Sequence, residues 1–132
     1  MVIFDNITAK KPSVLIIEDN HLDILVLKVL LERHFNLYIV TNGADALYAA
    51  KEFDFDIILS DINLGNAQMD GLMVMKKIRE FKTKDSLKIY AVTAYAENKE
   101  ELIAEGFNDV LTKPVIKEEI FDILNDLVLQ QS

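Results

Sequence analysis

Five side chains able to do ionic chemistry close four apolar runs of this sequence. Val14-Leu15-Ile16-Ile17 leads into Glu18-Asp19, Ile57-Ile58-Leu59, preceded by Phe55, leads into Asp61, Leu87 to Val92 ends on Thr93, and Asn108 to Leu111 ends on Thr112-Lys113-Pro114. A short apolar run without alternation reads as a strand buried on both faces. Such a strand delivers its last residue to the carboxyl edge of a parallel sheet, where open α/β folds bind ligands. Glu18, Asp19, Asp61, Thr93 and Lys113 are therefore predicted to meet in one cleft. Clustered carboxylates repel unless a pKa rises or a hard divalent cation joins them. Mg2+ is the better fit, because it takes one or two carboxylates, keeps several waters and shares its remaining positions with a phosphate. Lys113 would then neutralise charge on a transferring phosphoryl group, and Thr93 would donate to one of its oxygens. Asp61, central and without a neighbouring base, is the candidate nucleophile for an acyl phosphate. His21 and His34 fall at a helix start and a helix end, where an exposed imidazole is ordinary, and they are given no catalytic role.

These residues need a scaffold that brings strand ends together. Between the runs, helical spacing predicts helices over Leu22 to Arg33, Ala44 to Lys51, Met69 to Glu80, Asn98 to Glu105 and Lys117 to Leu129, with a further short strand at Leu37 to Thr41. Asn20 or Asp19 can cap the first helix, Asn42-Gly43 reads as a turn, and Gly106 closes the fourth helix. Leu72, Met75 and Ile78, with Phe81 at the next interval, form the stripe that seats the third helix on the core. Strand and helix alternate with connections too long for hairpins, so the fold class is α/β with one doubly wound parallel sheet and helices on both faces. Gly65 and Gly71 make the loop after Asp61 easy to bend.

Composition sets the outer limits. A chain of 132 residues is one domain, divided here into a leader (1–12), the domain proper (13–129) and a polar end (130–132). Hydrophobic residues at 51% exclude a disordered chain, and no apolar run approaches the ~20 residues needed to span a bilayer. A net charge of −8 leaves no basic surplus to neutralise phosphates, so nucleic acid is not an expected partner. Cysteine is absent, which excludes thiolate chemistry. The start has neither the basic region nor the apolar core of a signal peptide, which makes the cytoplasm the expected compartment. The initial Met and the leader favour a natural N-terminus.

The strand-end residues also carry a resemblance that covers nearly the whole chain. Glu18-Asp19-Asn20, Asp61-Ile62-Asn63-Leu64 leading into Met69-Asp70-Gly71, Val92-Thr93-Ala94 and Lys113-Pro114 follow the order found in response-regulator receiver domains, the flavodoxin-like phosphoacceptor modules of two-component signalling. The resemblance implies a sheet of order 2-1-3-4-5 and a phosphoryl group accepted by Asp61 from a histidine kinase or histidine phosphotransfer protein. It implies Mg2+ held by the side chains of Asp19 and Asp61 and the Asn63 carbonyl, with Glu18 acting through water. Thr93, Ala94 and Lys113 would bind the phosphate and switch conformation, and Lys113-Pro114 would be joined by a cis peptide. A domain of this kind signals by changing shape and assists only its own phosphorylation and dephosphorylation.

The sequence departs from the family pattern in three places. The segment from Asp61 to Asp70 is about two residues longer than usual, that from Thr93 to Lys113 about two shorter, and Val110 stands where the family has an aromatic switch residue. Tyr95 and Phe107 are not assigned that role. The alternative function is a Mg2+-dependent phosphohydrolase with an aspartyl nucleophile. Against it, Asn63 stands where the haloacid-dehalogenase-like enzymes carry a second acid, and there is no room for a cap domain. The first helix has two apolar stripes, Leu22-Val26-Val29 with Arg33 and Ile24-Leu27-Leu31, of which one seats the helix and the other is expected to receive the phosphodonor together with the turn at Pro114 and Val115. A homodimer through Phe121, Leu124 and Val128 of the last helix is the alternative use of exposed apolar surface.

Overall fold

Apolar runs without alternation become strands here because both sides of the sheet are covered. The computed structural model describes residues 11–63, 70–95 and 98–131. The predicted leader (through residue 10) and the predicted bend at Gly65 lie outside the described residues. In chain order the elements are β1 (Ser13–Ile17), α1 (His21–Leu31), β2 (Asn36–Val40), α2 (Gly43–Glu52), β3 (Ile57–Asp61), α3 (Gly71–Arg79), β4 (Lys88–Thr93), α4 (Lys99–Glu105), β5 (Asp109–Thr112) and α5 (Lys117–Gln131). All pairings are parallel and the strand order is β2-β1-β3-β4-β5, as predicted. Registers bring the carboxyl ends level: Ile17 stands opposite Ser60, Asp61 opposite Val92 and Thr93 opposite Thr112.

Successive strand residues point to opposite faces, so each run feeds two cores. Leu15, Ile17, Ile58, Ile89, Ala91 and Val110 pack with α2, α3 and α4 through Ala46, Ala49, Val74, Met75, Ile78 and Leu102. Val14, Ile16, Ile57, Leu59, Val92 and Leu111 pack with α1 and α5 through Leu27, Leu31 and Ile120. Leu27 and Leu31 are thus the inward residues of α1, with Leu30 partly buried against the same core and Ile24 half-buried, while Leu22, Leu25, Val26 and Val29 are exposed. In α3, Val74 joins Met75 and Ile78 in the core, whereas Leu72 is half-buried. Phe81 lies past the helix end and is partly exposed, its ring 5.7 Å from Lys51 Nζ. Phe121 is half-buried against the α1/α5 core, and the side chains of Leu124 and Val128 lie outside those described.

Side-chain oxygens start three helices. Asn20 accepts from Asp23 N–H, Asn42 from Asp45 N–H and Asp70 from Met73 N–H, at 3.0, 2.9 and 2.9 Å. Asn42, expected only to mark a turn, is therefore the N-cap of α2, satisfying a donor that the first helical turn leaves open. Gly106 ends α4 with φ of 141° and lies so near Met75 that a side chain there would meet the sulfur at 2.6 Å.

At the amino edge of β4 and β5 one side chain joins two connections. Arg79 donates from Nε to the Gly106 carbonyl (2.9 Å), from Nη1 to those of Thr83 (2.8 Å) and Leu87 (2.7 Å), and from Nη2 to Asn108 Oδ1 (2.8 Å). Burial lowers its pKa, a sign that the guanidinium has left bulk water for these acceptors. Arg79→Met keeps the aliphatic stem and leaves these acceptors without their donor, so it is expected to destabilise the fold by about 2–4 kcal/mol in urea unfolding. Arg79→Lys should recover little, because an ammonium cannot span the fork.

Candidate functional site

The sheet's carboxyl edge collects the predicted residues. Glu18 is buried, with its backbone N–H on the Val40 carbonyl at 3.0 Å. Its Oε2 accepts from the amides of Asp19 and Asn20 at 3.1 Å each, and its Oε1 lies 3.1 Å from Lys113 Nζ. Asp61, also buried, accepts from Asn63 N–H at 3.2 Å on the oxygen that stands 3.5 Å from Lys113 Nζ. Carboxylate oxygens of Glu18, Asp19 and Asp61 lie within 4.8 Å of one another, with Asp19 half-exposed. Thr93 is buried one register step beyond Val92, the partner of Asp61, and its Oγ1 accepts from Tyr95 N–H at 3.1 Å. Ala94 follows it, exposed. Lys113 is fixed at its backbone by N–H donation to the Thr93 carbonyl at 2.7 Å, and Lys113-Pro114 is a cis peptide.

Two charges are strongly perturbed. Burial pushes the Glu18 carboxyl up to about 7; the Asn20 amide and Lys113 oppose that rise, and neighbouring Asp61 adds to it. Burial works against the Lys113 ammonium, but Asp23, Glu18 and Asp61 outweigh it and hold the pKa above its ordinary value. Three crowded carboxylates, of which Glu18 and Asp61 face the Lys113 ammonium, make a hard, electron-rich donor set, which fits a divalent cation with oxygen ligands. The Glu18 shift also has a stability consequence. A carboxyl raised from 4.5 to about 7 on folding stabilises the ion-free protein below its unfolded pKa, and that contribution is lost as pH rises through about 7. Glu18→Gln, which cannot ionise, should therefore gain in melting temperature relative to the parent from pH 5 to pH 8.5 in chelator.

The sequence reading missed one member of the site. Asp23, in the first turn of α1, places Oδ2 2.8 Å from Lys113 Nζ, closer than either Glu18 or Asp61. Its position, four residues after Asp19 on a helix that the strand-end argument did not treat, carried no signal. A cleft of about 40 Å³ between α1 and the Pro114 turn is lined by Glu18, Asp23, Val26, Lys113 and Val115. A wider concavity of about 650 Å³ along the free edge of β2, at Tyr38, Asp45 and Tyr48, includes none of these charged groups. Val110 is buried in the core beside Leu102, and Phe107 is wholly buried, whereas Tyr95 is exposed.

The family model for the response regulator receiver domain matches residues 14–125. The chain is 37% identical over 115 residues to the autoinducer 2 sensor kinase/phosphatase LuxQ of Vibrio vulnificus, covering 85% of this chain and 13% of that protein. It is 32% identical over 117 residues to the signal transduction histidine-protein kinase BarA of Escherichia coli, covering 85% and 12%. It therefore spans only about one-eighth of these curated relatives. Among solved structures, the receiver domain of sensor histidine kinase PA1611 from Pseudomonas aeruginosa, with a magnesium ion coordinated in its active site cleft, superposes with a TM-score of 0.78 at 28% identity, covering 89% of this chain and 97% of that one. A second match is to the co-crystal structure of the Saccharomyces cerevisiae histidine phosphotransfer signalling protein Ypd1 and the receiver domain of its downstream response regulator Ssk1. There the TM-score is 0.80 at 27% identity, covering 95% and 94%. No described helix is long and apolar enough to cross a membrane.

Proposed function

This chain belongs to the response regulator receiver family, and from that premise we propose that Asp61 accepts a phosphoryl group from a phosphohistidine of a partner kinase or phosphotransfer protein. The observation that carries the reading is the convergence of Glu18, Asp19 and Asp61 within 4.8 Å with Lys113 Nζ at 3.5 Å from Asp61. An Asp61 oxygen attacks phosphorus, and the bond to the donor nitrogen breaks with its electron pair left on the imidazole. Asp19, Asp61 and the Asn63 carbonyl, with Glu18 through water, would hold Mg2+, which when bound supplies positive charge to the phosphoryl oxygens. Lys113 pairs with the same oxygens, and Thr93 turns its hydroxyl to them, drawing Ala94 and the start of α4 along. With Val110 in the aromatic position that movement is smaller than usual for the family. The working unit is residues 13–129, in the cytoplasm, acting as a signalling phosphoacceptor and not as an enzyme with an external substrate.

The test is labelling by a phosphohistidine protein and by acetyl phosphate. One phosphate per chain is expected, dependent on Mg2+ and absent in Asp61→Asn. Sustained turnover of p-nitrophenyl phosphate would instead support the phosphohydrolase, against which Asn63 offers Asp61 only a backbone N–H and no second acid.

The donor is proposed to dock on the outward face of α1, where Leu22, Leu25, Val26 and Val29 are exposed beside the Pro114–Val115 turn. That the receiver of Ssk1 was co-crystallised with Ypd1 supports a histidine phosphotransfer partner of this kind. Leu25→Glu with Val29→Asp is expected to cut transfer from the protein donor by about tenfold or more, and to cut labelling by acetyl phosphate far less. Equal losses with both donors would remove the docking assignment.

A further inference from the structure

The phosphate-facing ammonium of this site is held most closely by a carboxylate outside the acidic cluster. Lys113 Nζ lies 2.8 Å from Asp23 Oδ2, 3.1 Å from Glu18 Oε1 and 3.5 Å from Asp61 Oδ1. Asp23 is placed there by its backbone: its N–H donates to the capping Asn20 side chain at 3.0 Å, which orients the first turn of α1 with the carboxylate over the cleft. The pair is neither open to water nor sealed from it, with side-chain exposures of 22% for Lys113 and 37% for Asp23, so the attraction is screened less than on a free surface. Glu18, Asp23 and Asp61 together set three carboxylates against one ammonium.

A phosphoryl group arriving at Asp61 needs that ammonium, and Asp23 competes for it. We propose that Asp23 is a positioning residue that restrains Lys113 in the unphosphorylated protein and thereby weakens the site's hold on a phosphoryl group. The proposal rests on the phosphoacceptor reading of Asp61. It does not make Asp23 a metal ligand, since the carboxylates whose oxygens lie within 4.8 Å of one another are those of Glu18, Asp19 and Asp61.

The experiment compares the parent with Asp23→Asn, which keeps the backbone N–H that Asn20 caps. With Mg2+ saturating, the dissociation constant for beryllium fluoride is measured by titration. In the ion-free proteins, hydrogen exchange of the Lys113 ammonium is measured by 15N NMR. Asp23→Asn is expected to bind beryllium fluoride about tenfold more tightly and to exchange its Lys113 ammonium protons faster. Unchanged or weaker binding would overturn the proposal. So would tighter binding with unaltered Lys113 exchange, because Asp23 would then act as a distant charge and not through the lysine. Failure of the parent to bind beryllium fluoride would count against the phosphoacceptor reading, while the exchange measurement would still judge the tie between Asp23 and Lys113.

Discussion

Replacing Asp19 by Asn is expected to lower Mg2+-dependent phosphorylation of Asp61 about a hundredfold or more, the loss that follows when a charge-neutralising cation is no longer held. The three carboxylates are not equivalent. Both Glu18 oxygens are engaged, one by two backbone amides and the other by Lys113. Asp61 must present an oxygen to phosphorus. Asp19, half-exposed and within 4.8 Å of both, is the side chain best placed to bring in a cation from solvent. Its neutralisation also relieves repulsion, so the melting temperature in chelator should equal or exceed that of the parent. Labelling by acetyl phosphate at the parent's rate would show that the metal assignment is wrong.

A single methyl group at Gly71 should do more damage than the loss of a metal ligand. A Cβ built there overlaps the Asp61 carbonyl oxygen and comes within 2.9 Å of Ile62 Cα, both backbone atoms that cannot swing aside. Gly71 N–H also donates to the Ile62 carbonyl at 2.9 Å, so the first turn of α3 rests directly on the strand end that carries Asp61. Gly71→Ala is expected to cost about 3 kcal/mol or more in urea unfolding and to displace Asp61, abolishing phosphorylation even in the chains that remain folded. Stability within about 0.5 kcal/mol of the parent, the range of ordinary surface substitutions, would show that the contact is not as close as the geometry has it. The two variants separate cleanly: Asp19→Asn loses chemistry with the fold intact, whereas Gly71→Ala loses both.

Gly71 also shows how far the sequence can be read. The glycine suggested a loop that bends easily, but the requirement is room for another segment's backbone, which no local pattern encodes. Strand ends were legible because a strand buried on two faces leaves an unbroken apolar run, and the polar residue that stops it lies at the sheet edge. Connectivity then placed Glu18, Asp19, Asp61, Thr93 and Lys113 on one edge without knowledge of any distance. Helix faces were less legible. In α1 both stripes are apolar, and only the packing of Leu27 and Leu31 against the sheet selects the inward one. Asn42-Gly43 has the form of a turn, and its capping role follows from the helix that begins beside it. Asp23 and Arg79 were missed for one reason: their partners are distant in sequence, 90 residues for Asp23 with Lys113 and 27 for Arg79 with Gly106, and an isolated charge on a helix looks like an ordinary solvated one.

The Arg79 fork gives the molecule a fulcrum. It grips Gly106, Leu87 and Asn108 at the edge of the sheet opposite Asp61, so α4 is moored at its C-cap, while its first residue lies on the Thr93 side. In the switch proposed above, a push delivered from Thr93 would therefore swing this helix as a lever pivoting at Gly106. With seven residues at about 1.5 Å each, the arm is about 10 Å long. In that motion displacement would grow along it from Glu105 toward Lys99, where the ion pair between Lys99 and Asp109, at 3.5 Å, would have to give.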